Sequence, residues 1–94
     1  MLSKEEKMRR HYIFYGYVQG VGFRWRAKHL AALHSVTGYV RNLNDGAVEM
    51  EAEGREENID MLIQGLTNGR YIDITDYSVN SVPEENSSSF DIMD

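Results

Sequence analysis

The chain has 94 residues, 41% of them apolar and 27% charged, which suits one globular domain and is too short for two. It has no cysteine, which excludes disulfide staples, thiolate metal ligands and cysteine nucleophiles. The net charge of −5 is split: residues 1–42 hold eight Lys/Arg against two Asp/Glu, and residues 43–94 hold two against thirteen, so the N-terminal half can build an anion site while the overall balance opposes a nucleic-acid partner.

The charged stretch Met1–Arg10 is not followed by an unbroken apolar run, and no segment approaches bilayer-spanning length. The sequence therefore predicts one cytoplasmic domain over residues 1–94, with 1–9 as a flexible N-terminal segment, no membrane partner, and a monomer by default. His11 to Val18, rich in Tyr, Ile, Phe and Val, predicts a first strand. Gly16, Gly20 and Gly22 punctuate the end of that strand and the loop after it. Phe23, Ala27, Leu30, Ala31 and His34 recur at helical spacing and predict a helix over 23–34. Val36 to Asn42 reads as a second strand, and Asn44-Asp45-Gly46 as a hairpin turn. Val48, Met50 and Ala52 alternate with Glu49, Glu51 and Glu53, which predicts a third strand with a solvated acidic face. Ile59, Leu62, Ile63 and Leu66 form the stripe of a second helix, stopped near Gly69. Ile72 to Val82 and then Phe90 and Ile92 supply the closing strands. This order predicts an α+β, ferredoxin-like (βαββαβ) sandwich, an antiparallel sheet with two helices on one face. Such a fold does not by itself define an activity.

Two segments carry chemistry. The first is Gly16-Tyr17-Val18-Gln19-Gly20-Val21-Gly22-Phe23-Arg24, between a strand and a helix. Its glycines let successive N–H groups converge on one point, and the helix start adds unpaired N–H groups and the positive end of its dipole. Arg24 adds a guanidinium fork that matches phosphate oxygens. This is the composition of an anion cradle; the same glycines also suit a plain tight turn. It lacks the Gly-Lys-Ser/Thr ending of a nucleotide-binding loop. The second is Gly38-Tyr39-Val40-Arg41-Asn42, with Gly46, Val48 and Gly54 beyond. In this fold the second strand is expected to pair beside the first, which brings Asn42 near the cradle, where its carboxamide could hold a water; an asparagine also serves simply to end a strand. His11, His29 and His34 show no metal-ligand spacing, and Trp25 reads as packing or rim.

Together the two segments resemble the acylphosphatase family. Its first signature, Gly-x-Val-Gln-Gly-Val-x-Phe-Arg, is matched by Gly16, Val18, Gln19, Gly20, Val21, Phe23 and Arg24. Its second is matched by Gly38, Tyr39, Val40, Arg41, Asn42, Gly46, Val48 and Gly54. The resemblance spans nearly the whole chain. Tyr17 stands where the family often has an arginine, Phe14 where it usually has an aliphatic residue, and the proline often found after the second helix is missing. The resemblance implies a metal-independent hydrolase that needs no cofactor and splits the carboxyl-phosphate bond of small acyl phosphates. It implies that Arg24 binds the phosphoryl group and that Asn42 positions the attacking water. The loop from Gly16 through Gln19, Gly20, Val21 and Gly22 to Phe23 would cradle the phosphate with its N–H groups. The alternatives are an anion-binding module without turnover and an RNA-recognition domain using Tyr12, Phe14, Tyr15 and Tyr17; no RNA-recognition signature is present.

Overall fold

Alternation along the first strand sets the architecture. In the computed structural model, which describes residues 6–94, β1 (Lys7–Tyr17) presents Tyr12 and Phe14 to one side and Arg9, His11 and Ile13 to the other. The remaining elements are α1 (Phe23–Leu33), β2 (Thr37–Asn42), β3 (Val48–Arg55), α2 (Glu56–Thr67), β4 (Asp73–Val82) and β5 (Phe90–Met93). They form one sheet of order β4-β1-β3-β2-β5. β3 runs antiparallel to both β1 and β2, and β4 runs antiparallel to β1. β5 lies parallel to β2, so the ferredoxin-like sheet is mixed at one edge.

The helices cover the Tyr12/Phe14 face. Phe23, Ala27 and Ala31 of α1 and Ile59, Leu62 and Leu66 of α2 are buried with Val40, Val48 and Met50 of the sheet. Small residues at two of the three buried α1 positions let that helix lie close to the strands. The two helices meet where Gly65 faces Leu30; a Cβ there would stand 2.8 Å from the Leu30 methyls. Tyr12 and Phe14 stack with ring centroids 5.4 Å apart inside this core, so neither is exposed for base stacking.

The opposite face differs from the sequence expectation in two respects. First, β1 begins at Lys7, so residues 7–9 of the expected flexible segment are in the sheet; residues 1–5 of that segment lie outside the described residues. Arg9 explains the difference, because it is only 3% exposed and is fixed by carboxylates. Its Nε donates to Glu51 at 2.5 Å and its guanidinium to Glu53 at 2.9 Å. Second, the glutamates of β3 are not solvated. Glu49 accepts from Arg41 at 2.5 Å and lies 2.7 Å from His11, while Tyr39 donates to Glu51 at 3.3 Å. The stretch after β4 crosses this face: the Glu85 N–H donates to Glu53, and Ser87 takes a hydrogen bond from Arg9 and donates to Thr37.

Three outcomes are expected. At Gly38 the φ is +136° and a Cβ would stand 1.9 Å from the Glu51 carbonyl oxygen. Gly38→Ala should therefore lose about 3 kcal/mol of stability in urea denaturation. Gly46→Ala, at φ +95° with nothing within 4 Å, should lose about 1 kcal/mol. Burial alone raises the Glu53 carboxyl, but the Glu85 N–H and the Arg9 guanidinium outweigh it and hold its pKa below the usual 4.5. Folding thus depresses this pKa, so its contribution is complete above 4.5 and is lost as pH falls through the lower folded value. The melting temperature should fall on acidification below pH 4.5, and Glu53→Gln should flatten that dependence.

Candidate active site

β1 and β2 are each antiparallel to β3, hence parallel to one another, and their C-terminal ends lie at the same end of the sheet. They are not neighbours, contrary to the sequence expectation, because β3 stands between them. The chain leaving β1 passes through Gly20 (φ +73°) and Gly22 (φ +79°), left-handed positions suited to glycine. Gly22 caps α1, and the Arg26 N–H bonds back to its carbonyl at 3.0 Å. The start of α1 has no side-chain cap and no acidic residue in its first turn, whereas α2 begins with Glu56 and Glu57. The first N–H groups of α1 and the positive end of its dipole are therefore directed at an open position rather than at a protein carboxylate.

That position is a cavity of about 200 Å³ lined by Val18, Gly20, Gly22, Phe23, Arg24, Trp25 and Asn42. Of the expected site residues it brings together Arg24, Asn42, Gly20, Gly22 and Phe23. Gly16, Gln19 and Val21 do not line it. Gly16 (φ +120°) sits at a register shift in the β1–β4 pairing, where a Cβ would stand 2.2 Å from the Asp73 carbonyl oxygen. Gln19 turns its carboxamide toward the β2–β3 hairpin, donating to the Leu43 and Ala47 carbonyls at 2.7 and 2.8 Å. It thus ties the loop to the hairpin next to Asn42. Val18 and Trp25 complete the lining and were not expected site residues; their positions beside Gln19 and Arg24 are the signal that could have placed them.

The Arg24 side chain makes no hydrogen bond or ion pair with any described residue. The neighbouring cations are committed elsewhere, Arg26 to the Gly65 carbonyl and Lys28 to the Phe90 carbonyl. Asn42 Oδ1 is buried and accepts no hydrogen bond from a described residue. A buried acceptor of this kind costs about 1–3 kcal/mol unless something donates to it. The cavity lining thus brings Arg24 and Asn42 to the start of α1, residue types that suit an oxyanion and a neutral donor side by side. Among the described residues no group of three or more His, Asp or Glu is arranged to hold a metal ion.

A ferredoxin-like domain with an open cavity at the start of its first helix, lined by Arg24 and Asn42, is the class that fold and site define. Comparison with known proteins narrows it. The acylphosphatase family model matches residues 10–92. An acylphosphatase of Listeria welshimeri is 43% identical over 82 residues, 83% of this chain and 87% of that protein. The crystal structure of acylphosphatase from Bacillus subtilis superposes with a TM-score of 0.86 at 34% identity, covering 92% of this chain and 98% of that one. HypF of T. kodakarensis superposes with a TM-score of 0.77 at 32% identity, covering 90% of this chain and 12% of that much longer one. The chain belongs to the acylphosphatase family.

Gln19→Ala should lower stability by about 2 kcal/mol through two lost hydrogen bonds. By loosening the cradle it should also weaken inorganic phosphate binding severalfold, as read by calorimetric titration.

Proposed function

We propose that the chain hydrolyses acyl phosphates to a carboxylate and inorganic phosphate in the pocket between Arg24 and Asn42. The observation that carries this is that Arg24 and Asn42 line one cavity, with Asn42 Oδ1 left without a partner among the described residues. Arg24 and the backbone N–H groups from Gly20 to Arg24 hold the phosphoryl oxygens and spread their charge. Asn42 Oδ1 accepts a hydrogen bond from a water and aims its oxygen at phosphorus. The water oxygen bonds to phosphorus as the bond to the acyl oxygen breaks. The carboxylate leaves with that electron pair, and a water proton passes to a phosphoryl oxygen. A carboxylate is a good leaving group, so the step needs neither a general acid nor a side-chain base. Gly16 and Gln19 shape the cradle from outside the pocket lining, and Val21 serves it through its backbone N–H alone. The chain acts as one domain, a reading supported by the family match over residues 10–92, and as a monomer in the cytoplasm.

Hydrolysis of benzoyl phosphate, followed by absorbance with EDTA present, tests the proposal. The intact chain should turn over. Arg24→Ala should lose about 3 kcal/mol of transition-state stabilisation, about two decades of kcat/KM, together with phosphate affinity. Asn42→Ala should lose turnover while phosphate affinity stays within about twofold of the intact chain. An intact chain that binds phosphate without turnover would contradict the proposal and make the pocket a binding module.

A further inference from the structure

An in-line displacement has two ends, and the pocket treats them differently. Asn42 Oδ1 is fully buried, so the attacking water lies on the inner side. The acyl oxygen must then leave toward the mouth. Val18 and Phe23 are buried, while Gly20 and Gly22 have no side chain to offer. Trp25 is different. It is 67% exposed, it lines the cavity together with Arg24 and Asn42, and it is the large apolar side chain at the mouth. Its place in the first turn of α1 fixes it beside the phosphoryl site, and its ring lies 6.5 Å from that of His29 one turn further on. Trp25 also lines a shallow groove of about 750 Å³ with Arg26, His29, Leu30 and Leu33. The indole is thus shared by two surfaces, the polar pocket for phosphate and an apolar track along α1.

From this we infer that Trp25 receives the acyl group of the substrate and gives the enzyme a preference for acyl phosphates with a flat or extended apolar acyl part over acetyl phosphate. The inference rests on the proposed hydrolysis at Arg24 and Asn42. An aromatic acyl group packs on the indole face while the phosphoryl group sits in the cradle, so the two ends are recognised by different side chains. An acetyl group is too small to use the contact. Trp25 is a specificity residue and takes no part in bond making.

The test compares kcat/KM for benzoyl phosphate and acetyl phosphate in the intact chain, Trp25→Ala and Trp25→Phe. The benzoyl-to-acetyl ratio should fall about tenfold in Trp25→Ala, the worth of one ring contact of about 1.4 kcal/mol, and stay within about threefold in Trp25→Phe, which keeps a ring. An unchanged ratio in Trp25→Ala, or an equal fall in both variants, would overturn the inference. Calorimetric titration with the non-hydrolysable benzoylphosphonate and acetylphosphonate reads the same preference without turnover. If neither acyl phosphate is cleaved, the hydrolytic proposal fails. A Trp25-dependent preference for benzoylphosphonate would then still support the acyl contact, and equal binding of both phosphonates would overturn it.

Discussion

β3 is the constraint on which the site depends. Because it pairs antiparallel with β1 on one side and β2 on the other, it forces two strands that never touch to end at the same edge of the fold. The chain leaving β1 must turn there to reach α1, and the chain leaving β2 must turn there to re-enter the sheet as β3. Both turns are tight, with Gly20 and Gly22 in one and Gly46 in the other at positive φ. Gln19 then locks one turn to the other through the Leu43 and Ala47 carbonyls. The Asp45 side chain, accepting from the Ala47 N–H at 3.0 Å, stiffens the hairpin from within. The opposition of Arg24 and Asn42 is therefore fixed by backbone topology and one bridging carboxamide, which suits chemistry that works by positioning.

The two faces of the sheet are held by different physics. The helix side is a close-packed apolar core, whose stabilisation follows the area removed from water. The other side carries Arg9 among Glu51, Glu53 and Glu85, and Glu49 between His11 and Arg41. Arg9 and Glu53 are the buried pair of this set; such a pair gains little over apolar replacements, yet losing one partner costs several kcal/mol because the other is left uncompensated. Their structural consequence is register. Arg9 stands opposite Glu53 and Arg41 opposite Glu49, so a slip of one residue in either strand would separate the pairs and leave the buried Arg9 and Glu53 uncompensated. That same register sets where Asn42 ends.

Much of this was legible in the sequence. The apolar alternation of Tyr12 and Phe14 and the helical stripe Ile59, Leu62, Leu66 mark the core side, and the two glycine-rich signatures mark Arg24 and Asn42. What escaped the sequence was non-local. Arg9 and the β3 glutamates look like solvent-facing residues one at a time, and only cross-strand pairing reveals that they cover one another. The pairing order is likewise absent from periodicity, so β2 was expected beside β1 when β3 separates them. Gln19 belongs to the cradle motif, but the direction of its side chain depends on the hairpin 24 residues ahead. The part played by Trp25 in the pocket lining could not be separated from ordinary surface placement without the cavity it borders.

The central claim is that one oxyanion is held at the start of α1 by Arg24 and the loop amides, within reach of Asn42. Amide NMR spectra of the isotopically labelled chain, recorded through a titration with inorganic phosphate, test it most directly. The largest shifts should fall on the backbone amides from Gly20 to Arg24 and on the side-chain amide of Asn42, all saturating along one binding curve. Shifts centred instead on the charged sheet face around Arg9 and Arg41, or loop shifts that leave the Asn42 carboxamide unmoved, would contradict it.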